Sequence, residues 1–235
     1  IISNFYEFQI IDKKMITLYD LSGKNDLRFS PYCWRVKYLL NFRKIPYNTS
    51  PVCFTERLGS TFFGDAKLPT IIDDGIKVSD SFNIAEHIEY RYTDINNRMF
   101  NTETKSSLYF INQWSDQFLN TAILERVAYD IISVLDDRDI EYFTESRSIR
   151  FGMHPKDFQD YNTKKTENNF NKCCNFLDKI LEKQRYLLGE NITYAEMIVL
   201  GSFTWGEKVS KNTQIEKKFE RLSAWKNELA IRLGN

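Results

Sequence analysis

The segment that decides the fold reads Lys67-Leu68-Pro69-Thr70-Ile71-Ile72-Asp73-Asp74-Gly75-Ile76-Lys77-Val78-Ser79-Asp80-Ser81. Residues 70–72 and 76–78 are rich in β-branched side chains, and the dipeptide Asp74-Gly75 between them is a strong signal for a tight hairpin turn. Proline cannot donate a hydrogen bond to a strand ladder, so Pro69 is expected at the start of the first strand. The segment therefore predicts a β-hairpin that begins at a proline.

A helix is predicted directly after this hairpin, because residues 82–88 have the spacing of an amphipathic helix. Asp80 and Ser81 stand immediately before it. A carboxylate or a hydroxyl at a helix start is an ordinary N-cap, and the same groups can also bind the charged ends of a ligand. The residues alone leave both interpretations open.

The residues before the hairpin predict a strand, a helix and a second strand. Residues 16–20 are β-branched and aromatic, which favours a strand. Ser30-Pro31 fits the N-cap and first position of a helix that continues to about Arg43. Residues 47–52 are extended again, and residues 52–63 are interpreted as a turn-rich connection. The order of elements is therefore βαβ followed by ββα.

The composition changes after residue 92, and no glycine occurs between Gly75 and Gly152. Helical patterns cover residues 105–129, 157–183, 193–208 and 215–232. We therefore predict a first domain over residues 15–92, a linker over residues 93–104, and an all-helical domain over residues 105–235. Residues 1–14 are an extension of unclear status.

One helix of the second domain has almost no polar face, which predicts that it is buried on most sides. Its start, Thr193-Tyr194-Ala195-Glu196, fits a capping box, in which a hydroxyl and a carboxylate satisfy two free backbone amides reciprocally. Gly201 and Ser202 would let a neighbouring helix come close.

The composition excludes several classes of function. Lysine plus arginine equals aspartate plus glutamate, 32 each, so nothing indicates nucleic acid or an anionic membrane as a partner. No apolar run reaches the roughly 18 residues of a transmembrane helix. The four cysteines lack metal-ligand or disulfide spacing and indicate reduced thiols in the cytoplasm. His87 and His154 are far apart, and no metal site is predicted.

With these elements in place, the chain resembles a glutathione transferase from about Met15 to Asn235. The motifs that carry the resemblance are Leu68-Pro69-Thr70, Asp80-Ser81 and the capped helix at Thr193. Two further stretches resemble the fungal-specific A-type enzymes and the bacterial β-etherase-like branch: Leu18-Tyr19-Asp20-Leu21 with Arg28-Phe29-Ser30-Pro31-Tyr32-Cys33-Trp34-Arg35, and Asn191-Ile192-Thr193-Tyr194-Ala195-Glu196 with Gly201-Ser202-Phe203-Thr204-Trp205. Glu196 stands where this superfamily usually has aspartate, and Leu68 where valine is commoner.

The resemblance implies an α+β fold of two domains, a thioredoxin-like N-terminal domain and an all-α C-terminal domain. It implies that the bond before Pro69 is cis. It also implies that glutathione is bound, as co-substrate, by Lys67, Leu68, Pro69, Asp80 and Ser81. Lys67 is the candidate partner of the glycine carboxylate.

Ser30 is the residue that matches the catalytic position of the family. A hydroxyl there would donate to the glutathione sulfur, and the positive end of the helix would favour the thiolate. Ser30 and Cys33 occupy the two positions of a redox Cys-x-x-Cys motif, with serine in place of the first cysteine. Without that attacking cysteine, thiolate stabilisation is favoured over thiol–disulfide exchange. A role for Ser30 as N-cap alone stays open, and Cys33 is interpreted as a core thiol.

Other cations near Ser30 are weaker candidates. Lys24, Arg28 and Arg35 could attract the carboxylates of glutathione, but charges of this kind are usually solvated on the surface. In the predicted helix, Arg35 and Lys37 lie outside the apolar stripe.

The expected function is therefore glutathione transfer to a small hydrophobic electrophile, as in detoxification or in the cleavage of aromatic ethers. The alternative is a non-catalytic ligand carrier or regulator that kept the fold. The resemblance also implies a homodimer, since closed two-fold dimers are the commonest assembly.

Overall fold

A computed structural model of the chain describes residues 15–93, 98–100 and 104–234. The predicted extension over residues 1–14 therefore lies outside the described residues, as does part of the predicted linker, residues 94–97 and 101–103.

The N-terminal part forms a four-stranded mixed sheet with helices. Its elements are β1 (Ile16–Leu21), α1 (Pro31–Phe42), β2 (Tyr47–Val52), α2 (Phe54–Gly59), β3 (Thr70–Asp73), β4 (Ile76–Ser79) and α3 (Ser81–Arg91). The strand order is β2-β1-β3-β4. β1 is parallel to β2 and antiparallel to β3, which pairs antiparallel with β4. The predicted thioredoxin-like arrangement is confirmed.

The hairpin and the first helix form where the sequence predicted them. Asp74 and Gly75 have φ angles of 51° and 82°, the positive values that a type I′ turn requires. The Ser30 hydroxyl caps α1 by accepting a hydrogen bond from the Cys33 amide at 3.3 Å. The Leu68–Pro69 peptide bond is cis.

One element of this part was not predicted. Residues 52–63 were expected to be a turn-rich connection, but they contain the short helix α2. The Asp139 carboxylate, from the second domain, accepts hydrogen bonds from the Phe54 and Thr55 amides at 2.7 and 2.9 Å. A cap that is supplied by a residue 85 positions away leaves no local signal in the sequence.

The rest of the described chain is helical, which confirms the predicted all-α second domain. Its helices are α4 (Lys105–Trp114), α5 (Asn120–Val127), α6 (Asp130–Val134), α7 (Ile140–Phe151), α8 (Pro155–Asp160), α9 (Thr163–Ile180), α10 (Tyr194–Val209) and α11 (Glu220–Leu233). A π-helical turn, Ser115–Leu119, joins α4 to α5. None of the helices in the part of the chain that the structure describes has both the length and the apolar character needed to cross a membrane.

The second domain differs from the prediction in three respects. The pattern over residues 157–183 is two helices, α8 and α9, because Asn162 between them adopts a left-handed backbone with φ of 66° and caps α9. α11 begins at Glu220 rather than at Ile215. α6 and α7 were not predicted.

The nearly apolar helix α10 lies at the centre of the molecule and packs against α1. A methyl group at Gly201 would lie only 2.7 Å from the Pro31 carbonyl oxygen, so glycine is needed for this close approach. The burial of α1 corrects one interpretation of the sequence. Arg35 and Lys37 do not lie on an open face of α1, because both side chains are buried.

The start of α10 has a complete capping box. The Glu196 carboxylate accepts hydrogen bonds from the Thr193 amide at 2.7 Å and from the Thr193 hydroxyl at 2.9 Å, and its other oxygen accepts one from the Leu187 amide. The Thr193 hydroxyl accepts a hydrogen bond from the Ala195 amide at 3.2 Å. Glu196 is fully buried, and burial raises the pKa of its carboxyl while these donors oppose the rise.

Replacing Thr193 by alanine should lower the free energy of unfolding by about 1–2 kcal/mol, since water cannot easily replace a cap at a buried helix start. Thr193→Ser keeps the hydroxyl and is the matched control. Urea denaturation of the three proteins measures the effect. Equal midpoints for the alanine variant and the parent would contradict this role.

Candidate active site

A cavity of about 420 Å³ lies between the two domains, and Ser30 is part of its wall. The first domain contributes Leu21, Phe29, Ser30, Pro31, Tyr32, Phe54, Arg57, Lys67 and Leu68. The second contributes Asp116, Asn120, Thr121, Leu124, Ile131, Tyr142, Phe143, Arg147, Arg150 and Trp205. Polar and charged groups therefore share the cavity with a broad apolar surface, as is usual for small-molecule sites.

Ser30 is positioned by the start of α1. Its side chain is mostly buried, with the residue 6% exposed, and its oxygen accepts the Cys33 amide. A serine hydroxyl that accepts one hydrogen bond can still donate its own hydrogen. The position can therefore combine capping of α1 with donation to an atom in the cavity.

The other predicted glutathione-binding residues fall into two groups. Lys67 and Leu68 line the same cavity as Ser30. Asp80 and Ser81 do not line it, but the Asp80 amide donates to the Pro69 carbonyl oxygen at 3.1 Å, so they lie directly beside the proline. Lys67 and Leu68 therefore share the cavity with Ser30, whereas Asp80 and Ser81 lie on the other side of the proline in the sequence and beside it in the fold.

Asp80 and Ser81 also have structural roles at the start of α3. One oxygen of the Asp80 carboxylate accepts the Phe82 and Asn83 amides at 2.9 and 3.2 Å. Ser81 is 2% exposed, and its carbonyl oxygen accepts the Tyr194 hydroxyl of α10 at 2.8 Å. The Tyr194 hydrogen bond joins the start of α3, in the first domain, to α10 of the second.

The weaker cationic candidates are occupied by ion pairs. Lys24 pairs with Asp137 at 2.9 Å, and Arg28 pairs with Asp20 at 3.0 Å. Arg35 was interpreted as a solvated surface charge, and this was wrong. It is fully buried and pairs with Asp116 of the second domain at 2.7 Å.

Cys33 is a buried core thiol, 1% exposed, and it forms no disulfide. Burial, and after it the charge of Asp20, raise the pKa of its thiol well above the usual value. A thiol of this kind is a poor nucleophile. Cys33 therefore offers no redox chemistry beside Ser30.

The comparison with known families agrees with this geometry. Residues 26–96 match the N-terminal domain of glutathione S-transferases, and residues 108–234 match their C-terminal domain. The chain belongs to the glutathione S-transferase family.

Solved structures of fungal and plant glutathione transferases share its fold. Glutathione transferase GSTFuA3 from Phanerochaete chrysosporium is 20% identical, with 94% of this chain and 98% of that chain covered and a TM-score of 0.81. The glutathione S-transferase CsGST63524 of Ceriporiopsis subvermispora, in complex with glutathione, is 22% identical, with 93% and 97% covered and a TM-score of 0.76. Glutathione transferase F7 from Populus trichocarpa is 16% identical, with 92% and 93% covered and a TM-score of 0.64.

The apolar wall of this glutathione S-transferase was not found from its sequence. Three aromatic rings form its centre: the Phe54 ring lies 6.2 Å from that of Tyr142 and 6.1 Å from that of Phe143. Tyr142 and Phe143 belong to α7, a helix that was missed. The signal that could have located this wall is the spacing of Phe143, Arg147 and Arg150, which places the three on one helix face.

Among the described residues, no cluster of histidine, cysteine, aspartate or glutamate side chains is arranged to hold a metal ion. His87 instead pairs with Asp73 at 2.8 Å, and His154 caps α8 by accepting the Lys156 amide.

Proposed function

We propose that this chain is an active glutathione transferase in which the Ser30 hydroxyl activates the glutathione thiol for attack on a hydrophobic electrophile. The observation that supports this most is the position of Ser30. It caps α1 at the wall of a cavity that also contains Lys67, Leu68 and the aromatic surface of α7. The cavity therefore has room for a thiol beside the hydroxyl and for an apolar acceptor beyond it.

The proposed chemistry is stabilisation of a thiolate, which is the nucleophilic form. A hydrogen bond to a charged group contributes about 1.5–3 kcal/mol, whereas a helix N-terminus contributes about 0.3–1 kcal/mol. One pKa unit corresponds to about 1.4 kcal/mol. The hydroxyl is therefore the larger effect, and it alone should lower the pKa of the bound thiol by about 1–2 units.

Glutathione would be held by the edge that runs from Lys67 to Ser81. In this proposal Lys67 pairs with the glycine carboxylate, Leu68 and Pro69 contact the peptide, and Asp80 and Ser81 bind the γ-glutamyl end. Asp80 is exposed, so its carboxylate is accessible to an ammonium group.

Asp80→Asn should weaken glutathione binding about tenfold, a loss of about 1.5 kcal/mol for one bond to a charged group. Asparagine still caps a helix and tolerates the positive φ of this residue, so stability should change little. Asp74→Asn, in the hairpin turn, is the matched control. Unchanged affinity in a folded Asp80→Asn protein would remove Asp80 from the site.

The transferase proposal is tested by the rate of glutathione conjugation to a chlorodinitrobenzene, with the uncatalysed rate subtracted. Glutathione affinity is measured by calorimetry on the same preparation. We expect both binding and turnover. Binding without turnover would contradict the proposal and support the non-catalytic carrier instead.

A homodimer is part of the same proposal. Large exposed aromatic side chains on α3 and α4 support it, since such surfaces often mark interfaces: Tyr90, Tyr109 and Phe110 are 87%, 55% and 64% exposed. A monomer in sedimentation velocity at micromolar concentration would contradict it.

The cytoplasm is the proposed location, supported by four cysteines that are all unpaired. Fractionation of cells that express the chain tests this.

A further inference from the structure

The charges around the cavity do not balance. Four cations line it, Arg57, Lys67, Arg147 and Arg150, and Asp116 is the carboxylate among its lining residues. That carboxylate is already paired with the buried Arg35 at 2.7 Å. Among the residues that the structure describes, none of the four cations makes an ion pair with a carboxylate.

The four cations divide between the two walls. Lys67 lies beside the proposed glutathione edge, and Arg57 is tied to it because its guanidinium donates to the Ala66 carbonyl oxygen at 3.3 Å. Arg147 and Arg150 are on α7, in the other domain. In the proposed binding mode glutathione lies along the first-domain wall, from Lys67 to Ser81, where Lys67 and Arg57 are available to its carboxylates. The two arginines of α7 are therefore left for another ligand.

The Arg147 guanidinium lies beside the aromatic wall. It lies 4.8 Å from the centre of the Phe143 ring and 5.9 Å from that of the Phe54 ring. Arg150 is one helical turn further along the same face. Burial, and after it the charge of Arg150, lower the pKa of the Arg147 guanidinium. Arg150 itself is exposed, and two neighbouring guanidinium groups are stabilised when an anion binds between them.

We propose that the electrophile accepted by this enzyme is an aromatic compound that carries an anionic group, a carboxylate or a sulfonate, which Arg147 and Arg150 bind. This inference rests on the proposed function, since an acceptor presupposes a transfer reaction. The ring of the substrate would contact Phe54, Tyr142 and Phe143, and its anionic group would contact the guanidinium groups of α7.

The test is the affinity of a matched pair of ligands, a chloronitrobenzoate and the corresponding benzamide, which have the same ring and nearly the same size. Affinities are measured by calorimetry on protein saturated with S-methylglutathione, which has no reactive thiol. The parent should bind the benzoate about tenfold more tightly than the benzamide, the change given by one charge-assisted hydrogen bond.

Variants of the two α7 arginines test whether these residues cause the preference for the benzoate. Arg147→Gln and Arg150→Gln should each remove most of the preference for the benzoate, and Arg147→Lys should keep more of it than Arg147→Gln does. Arg221→Gln, an exposed arginine of α11 outside the cavity, should leave the preference as in the parent. Equal affinity for the two ligands, or a preference that survives both glutamine changes together, would overturn the inference.

Turnover of the same two ligands with glutathione separates this inference from the proposed function. Conjugation of the benzamide without any preference for the benzoate would overturn the anionic class alone. A preference for the benzoate in binding, without conjugation of either compound, would overturn the transferase proposal and leave the anion site in place.

Discussion

Replacing Asp116 by alanine is expected to lower the free energy of unfolding by about 3 kcal/mol, because it leaves a fully buried arginine without its counter-ion. The Arg35 guanidinium extends from α1 to the second domain, where it donates to Asp116 at 2.7 Å and to Asn112 at 2.9 Å. The Asp116 side chain is 21% exposed, whereas that of Arg35 is completely buried. The cost should therefore arise from the arginine and not from the carboxylate.

Two further variants test this explanation. Asp116→Asn keeps a hydrogen-bond acceptor, so it should cost less than alanine. The double variant Arg35→Met with Asp116→Ala removes the isolated charge and should regain part of the stability that Asp116→Ala alone loses. Guanidinium denaturation measures all four proteins. A double variant that is no more stable than Asp116→Ala would show that the isolated charge is not the source of the effect.

The second large effect is expected at Ser30. Ser30→Ala should reduce kcat near neutral pH by about 10- to 100-fold, because a rise of about 1–2 units in the thiol pKa lowers the thiolate fraction by up to that factor. Glutathione affinity should change by only about threefold, since the peptide is held by the edge from Lys67 to Ser81. Steady-state kinetics together with calorimetry measure the two quantities.

The alanine change also removes the N-cap of α1, which costs about 1 kcal/mol. Ser30→Gly is the better test, because glycine at an N-cap costs only a few tenths of a kcal/mol and also lacks the hydroxyl. Ser30→Thr keeps the hydroxyl and should keep most of the rate. Equal loss of rate in the threonine and glycine variants would contradict a role for the hydroxyl.

Ser30→Cys should change the type of reaction. A cysteine at this helix start has a lowered thiol pKa and can attack a mixed disulfide, so thiol–disulfide exchange should appear as transfer activity falls.

Elements with local signals were predictable from the sequence. Asp74-Gly75 indicates the turn, Ser30-Pro31 the start of α1, and Thr193 with Glu196 the start of α10. Each of these signals lies within four consecutive residues. The candidate site was predictable in part for the same reason, since Ser30, Lys67 and Leu68 lie in or beside these elements and line one cavity.

What depends on distant contacts was not predictable. The hydrophobic pattern of α1 describes that helix alone and holds no information about its neighbours. Arg35 was therefore placed outside the apolar stripe, although α10 and Asp116 bury it. In α7 only Phe143 is buried, so no apolar stripe indicated a helix there. The wall formed by Tyr142, Phe143, Arg147 and Arg150 therefore became visible only when the two domains were seen together.

The most direct test of the central claim is an ultraviolet difference titration of the glutathione thiol bound to the parent and to Ser30→Gly. If the Ser30 hydroxyl stabilises the thiolate, the thiol bound to the parent should titrate about 1–2 units below the ordinary value of about 8.5. In Ser30→Gly it should return most of the way to that value while glutathione remains bound. The same thiol pKa in both proteins would contradict the claim and leave Ser30 as a helix cap alone.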